Sequence, residues 1–179
     1  VTETQGAATQ AIVNGDGGIL ALVNTAANND LNSIQLANET FAFVVGKQAW
    51  YKARFSVSNA TNAAVVLGLQ ITDTTPLAVT EGVFFYSPAA STGMSLWVEN
   101  ASVATTTMAG ALADATYTEI GFHYDGSNTF FIYFNGARVA SCAATNMPTR
   151  TLTLTAAVAN GTAATNTLNV DYIFAATER

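Results

Sequence analysis

The stretch that decides the fold is Tyr117-Thr118-Glu119-Ile120-Gly121-Phe122-His123-Tyr124-Asp125-Gly126-Ser127-Asn128-Thr129-Phe130-Phe131-Ile132-Tyr133-Phe134-Asn135-Gly136-Ala137-Arg138. Its first part sets Ile120, Phe122 and Tyr124 against Glu119, Gly121 and His123, the period of two that marks a strand with one apolar face. Asp125-Gly126-Ser127-Asn128 interrupts that run, and Thr129–Phe134 follows as a second strand. Asn135-Gly136 then supplies the positive φ that a two-residue type I′ hairpin needs, before a third strand over Ala137–Ser141. Three consecutive strands therefore form a meander.

The same periodicity extends outward from this meander. Gln48 to Ser58 places Tyr51, Ala53, Phe55 and Val57 on one face and Trp50, Lys52, Arg54 and Ser56 on the other. Ala63 to Thr72 carries Val65, Leu67, Leu69 and Ile71 on one face, after a turn-like Ser58–Asn62 that predicts antiparallel pairing of these two strands. Near the end, Leu152, Leu154 and Ala156 oppose Thr151, Thr153 and Thr155, and Leu168, Val170, Tyr172 and Phe174 oppose Asn169, Asp171 and Ile173; each predicts a strand with one wet face. Further strands are expected at Gly18–Val23, Thr40–Val45, Gly82–Tyr86, Gly93–Glu99 and Ser102–Thr107, while the Ala-rich Met108–Ala115 fits a loop, a short strand or a helical turn. About a dozen short strands without a long amphipathic helix predict an all-β chain, an antiparallel two-sheet β-sandwich of the jelly-roll kind. No linker divides it. Residues 1–32 are expected to be an amino-terminal arm or first strands packing on the sandwich, and residues 33–179 a single β-sandwich domain.

Composition narrows the function classes. Among 179 residues half are hydrophobic and only 10% are charged, with six Lys and Arg against twelve Asp and Glu. A net charge of −6 with no basic cluster argues against nucleic acid, whose binding rests on neutralising phosphates. The longest apolar runs, such as Phe41–Val45, fall far short of the roughly 20 residues of a membrane-spanning helix, so no membrane partner is expected. The polar Val1–Gly6 lacks the basic n-region of a signal peptide, and if Val1 follows a removed Met the chain is made in a cytoplasm. One Cys, Cys142, excludes an internal disulfide. A surface of Thr, Asn, Ser and Ala carries little self-repulsion and suits a protein that lives against other protein copies.

The hairpin residues Tyr117–Gly126 and Phe130–Ala140 resemble the central hairpins of laminin-G and concanavalin-A-like sandwiches. A wider set resembles structural proteins of tailed bacteriophages: Gly15–Gly18, Gly46-Lys47 before Trp50–Arg54, Gly68–Thr74, the closing Leu168–Ile173, and Thr177-Glu178-Arg179. That resemblance implies a virion structural protein, a capsid decoration or cement protein on the capsid exterior. It implies the major capsid protein as partner and self-association as a dimer or trimer, with internal pressure on the shell resisted by added contacts.

No catalytic constellation of a familiar kind is present. The E-x-D-x-x-E arrangement of concanavalin-A-like glucanases is missing, and the acids Asp73, Glu81, Glu99, Asp114, Glu119 and Asp171 are scattered, which predicts a protein that is not an enzyme and has no catalytic residue. With one His, His123, and one Cys, neither a His-rich metal site nor a thiolate cluster can form, so no metal or cofactor is expected. Asn14-Gly15-Asp16 and Asp125–Asn128 offer oxygens but not an EF-hand spacing, and the latter is accounted for as a hairpin turn. Gly15–Gly18 lacks the Lys-Ser/Thr of a phosphate loop. Asp171 is read as an outward side chain pairing with Arg54 or Arg138. The best functional signal is the aromatic set on the non-core side of the strands. Trp50, Trp97, Phe131 and Tyr133, with Lys52 and Arg54, form the candidate interaction face, with His123 beside them. Three roles fit such a face: a platform on which sugar rings stack, a protein interface, or burial beneath the amino-terminal segment and loops. A carbohydrate-binding, lectin-like module is the alternative to the capsid role.

Overall fold

The computed structural model describes residues 2–5 and 8–179, and every regular element among them is a strand. In chain order they are β1 (Thr2–Gln5), β2 (Thr9–Val13), β3 (Ile19–Val23), β4 (Leu31–Gln35), β5 (Ala49–Val57), β6 (Ala63–Gln70) and β7 (Gly82–Ser87). There follow β8 (Gly93–Asn100), β9 (Val103–Ala111), β10 (Thr118–Tyr124), β11 (Thr129–Phe134), β12 (Ala137–Ala143), β13 (Thr153–Asn160) and β14 (Thr167–Thr177). They form two antiparallel seven-stranded sheets, β1-β4-β13-β6-β7-β8-β9 and β12-β11-β10-β5-β14-β3-β2. This is a jelly-roll sandwich.

The meander β10-β11-β12 forms as the turn residues dictate. Asn135 and Gly136 take φ of 50° and 79°, the left-handed pair of the tight hairpin. At the other turn the Asp125 carboxylate accepts from the backbone N–H of Ser127, Asn128 and Thr129 at 2.8, 3.0 and 3.1 Å.

Alternation then decides the core. β5 and β10 send Tyr51, Phe55, Ile120 and Phe122 inward, while β6, β7 and β8 send Leu67, Leu69, Val83, Phe85 and Leu96 from the facing sheet, and all are buried. The rings of Tyr51 and Phe122 meet Phe85 across the gap with centroids 6.4 and 6.3 Å apart. Each fully buried side chain of this size contributes roughly 1.5–3 kcal/mol of transfer free energy.

Three expectations need correction. β5 and β6 do not pair: the chain crosses after Val57 from one sheet to the other, so their apolar faces meet across the core. Thr40–Val45 is not a strand, because only Phe41 bridges to Leu152 before the chain turns at Gly46, whose φ is 84°. Its Phe43 ring instead closes one end of the core against Phe122, Tyr124 and Phe130. The predicted wet face of β13 is dry. Thr153 and Thr155 are fully buried, donating from Oγ1 to Leu36 O and accepting from Gln35 Nε2 respectively. Residues 71–81 roof this outer side of the first sheet, where Gln70 Nε2 donates to Pro76 O and Asp73 N–H donates to Gln35 Oε1. The Ala-rich segment left open by the sequence belongs partly to β9, which runs on to Ala111.

Residues 1–32 supply β1 to the first sheet and β2 and β3 to the second. A buried asparagine cluster joins the two sheets where β3, β13 and β14 end or begin. Asn160 Nδ2 donates to Thr25 O and Ala27 O at 2.6 and 2.8 Å, and its Oδ1 accepts from Asn24 and Asn166 at 3.1 and 3.0 Å. Asn160→Ala removes four hydrogen bonds, leaving the buried Asn166 amide without this acceptor, and is expected to lower stability by about 2–3 kcal/mol. The measurement is the urea midpoint at unchanged slope.

Candidate functional site

The outward face of the second sheet is a grid set by strand register. One rung runs Ala176, Trp50, His123, Phe131 across β14, β5, β10 and β11. The next runs Phe174, Lys52, Gly121, Tyr133 and on to Arg138 of β12. A third runs Tyr172, Arg54, Glu119. Gly121 stands at the centre with no side chain, so its surroundings form the walls of a depression of about 350 Å³, lined by Trp50, Lys52, His123, Tyr133 and Phe174. A Cβ at Gly121 would sit 2.8 Å from Tyr51 O, so the close approach of β5 excludes even alanine without a backbone shift.

The Phe174 wall comes from a register irregularity. The strict alternation of β14 predicts Tyr172 and Phe174 on the core side with Leu168 and Val170. The ladder with β5 instead slips between Val170 and Tyr172, leaving Asp171 as an extra residue. A bulge of one residue reverses every later side chain. Ile173 and Ala175 therefore pack inward, while Tyr172 and Phe174 stand 36% and 54% exposed on the face. Of the two arginines expected to pair with Asp171, the structure gives it Arg54 and not Arg138.

The polar groups hold one another in place. His123 stacks flat on Trp50, with centroids 5.4 Å apart and planes 2° from parallel, and its Nε2–H donates to Gln48 Oε1 at 2.7 Å. In the neutral ring this leaves Nδ1 as an acceptor. Glu119 Oε2 accepts from Lys52 Nζ at 2.8 Å and from the Tyr172 hydroxyl at 2.6 Å. The Arg54 guanidinium lies over the Tyr117 ring at 4.2 Å, and that of Arg138 over Phe131 at 4.0 Å. Among the described residues no three His, Cys, Asp or Glu side chains converge as a metal site.

The structure thus brings Trp50, Lys52, Arg54, Phe131 and Tyr133 together and leaves Trp97 out. Trp97 lies on β8 of the other sheet, stacked on Phe84 at 6.2 Å and edge-on to Tyr86 at 5.5 Å. Each tryptophan points outward from its own strand. Only the sheet assignment, a long-range property, separates them. Gln48, Tyr172 and Phe174 join the site without having been singled out.

No protein-family model and no curated protein matches the sequence. Solved structures do match the fold. The Emp46p carbohydrate recognition domain, in its potassium-bound form, superposes with a TM-score of 0.65 at 9% identity, covering 94% of this chain and 86% of its own. An endo-β-1,4-glucuronan lyase from the fungus Trichoderma reesei gives 0.63 at 11%, covering 96% and 88%. The alginate lyase AlyC3 gives 0.61 at 11%, covering 90% and 75%. What the chain shares with them is the fold, a jelly-roll sandwich of two antiparallel sheets. Two lyases on this sandwich overturn the expectation that the chain is not an enzyme. That expectation rested on the missing glucanase acid pattern and on the scatter of the other acids, and neither excludes other chemistry on the same scaffold.

The Glu119 cluster has a pH signature. Hydrogen bonds from Lys52 and Tyr172 hold the Glu119 carboxyl below its ordinary value of 4.5, and the same contacts raise the Lys52 ammonium. A carboxyl depressed in the folded state stabilises fully above its ordinary value and loses that contribution as pH falls below 4.5. Glu119→Gln is expected to flatten this part of the acid limb in urea midpoints taken at stepped pH. Superimposable profiles for the two proteins would remove the cluster from the account.

Proposed function

We propose that the chain binds carbohydrate polymers across the outward face of its second sheet. The observation that carries this reading is the Gly121-floored depression walled by Trp50 with its stacked His123, by Tyr133 and by Phe174. Sugar rings present flat C–H faces to aromatic planes and hydroxyls at their edges, and this site offers both partners. Aromatic rings flank the floor, while Gln48, Lys52, Glu119, His123 and the tyrosine hydroxyls supply donors and acceptors around it. The solved carbohydrate recognition domain and polysaccharide lyases on the same sandwich support the reading. The capsid-decoration role has its support in the scattered phage-like motifs of the sequence, and no feature of this face favours it over a sugar.

The two tryptophans provide the test, since they lie on different sheets. Trp97→Phe leaves Trp50 as the sole indole reporter. Titration with oligosaccharides from several polysaccharide classes is expected to change its emission saturably. Trp50→Ala, read by calorimetry, is expected to weaken binding by about 1.4–2.8 kcal/mol, roughly ten- to a hundredfold. If no class of sugar perturbs Trp50 and calorimetry shows no heat, the reading fails. Chain shortening of the polymer in the same mixtures would report turnover.

A further inference from the structure

The charge distribution of this face names the class of sugar. The chain carries net charge −6, with six Lys and Arg in all, yet three of them, Lys52, Arg54 and Arg138, project from this one face. Against them stand Glu119, engaged with Lys52, and Asp171, engaged with Arg54, while at the end of the face near Gln48 and His123 Glu178 and Asp125 accept from backbone N–H groups. Arg138 makes no ion pair among the described residues. Arg138 is an exposed residue whose guanidinium lies on the Phe131 ring, and its backbone is paired with Tyr133, whose side chain forms the adjoining wall of the depression. A guanidinium stacked on a ring has its plane fixed while its N–H fork stays free, and that fork matches a carboxylate in two parallel hydrogen bonds. Lys52 stands in the same rung on the other side of Gly121 and spends a donor on Glu119, with others left over.

Resting on the carbohydrate reading above, we propose that the ligand is an acidic polysaccharide built of uronate units, with Arg138 gripping a ring carboxylate beside the depression and Lys52 facing it across the Gly121 floor. In a chain of net charge −6, Arg138 is the cation of this face that no carboxylate neutralises, and so the one free to attract such a polymer.

The experiment compares binding of polymannuronate and polyglucuronate with that of neutral mannan and β-glucan, at low and moderate salt. The polyuronates are expected to bind, more weakly as salt rises, and Arg138→Ala to weaken them tenfold or more. Arg138→Lys, which keeps the charge but not the fork, is expected to recover only part of that loss. Arg150→Ala, a control in the loop before β13 of the other sheet, is expected to bind as the parent does. Arg138 is exposed on an edge strand, and unchanged circular dichroism and melting confirm that its variants fold. Neutral polymers binding as well as polyuronates, or polyuronate binding indifferent to Arg138, would overturn this inference and leave the carbohydrate reading standing. Binding of neither class would remove both.

Discussion

The site depends on one extra residue. Between Val170 and Tyr172, Asp171 opposes no residue of its own on β5, and the ladder resumes out of phase. Before the bulge β14 buries Leu168 and Val170 against the core; after it the same strand turns Tyr172 and Phe174 to the outside. Without the slip those two rings would point at a core already filled by Tyr51, Phe55, Ile120 and Phe122, and the depression would lack a wall. The Arg54–Asp171 pair turns the unpaired residue toward the face and ties it to the central strand. A bulge beside a site is a device that re-aims side chains, and here it re-aims two aromatic rings at once.

The ion pairs on this face act by position more than by stability. Lys52 is nearly half exposed, and pairs of that kind contribute little in water. Their effect is to keep long side chains from falling across the Gly121 floor. Lys52 is drawn along the sheet toward Glu119, Arg54 toward Asp171, and Arg138 is held down on Phe131. Burial, followed by the bond to Glu119, raises the Tyr172 phenol, whose hydroxyl donates to the Glu119 carboxylate. The aromatic surfaces are left clear between these anchored charges.

Period-two alternation and turn chemistry are local, and wherever the structure follows local rules the sequence was legible. Trp50, Lys52 and Arg54 share a face because they are two residues apart. Phe131 and Tyr133 join them because the Asp125 and Asn135-Gly136 turns fix the meander. What escaped is what pairing alone decides. The Ser58–Asn62 link is indistinguishable in composition from a hairpin, yet it carries the chain between sheets. The burial of Thr153 and Thr155 comes from a loop distant in sequence, and Trp97 is separated from Trp50 by a choice of sheet. The bulge at Asp171 leaves no mark in hydrophobicity, since Tyr172 and Phe174 look like core residues and only the ladder with β5 shows that they are not.

The two outer faces of the sandwich differ because of how their strands are joined. In the first sheet the long connection over residues 71–81 folds back across the strands, burying Gln70 and Thr155, and Val79 beside the Phe84–Trp97 stack. In the second sheet β10, β11 and β12 are joined by turns too short to reach back over the strands they connect. A meander built on tight hairpins cannot roof its own outer side. The Asp125–Asn128 and Asn135-Gly136 turns that make the fold recognisable are thus also the reason that Trp50, His123 and Tyr133 remain open to a ligand. An outer face kept clear by hairpins must carry its recognition on the strands themselves, and strands hold side chains at fixed spacings of about 4.8 Å between neighbours and about 7 Å along each strand. That is the scale of a sugar ring, so a repeating polymer can meet successive rungs of this grid without any loop having to move.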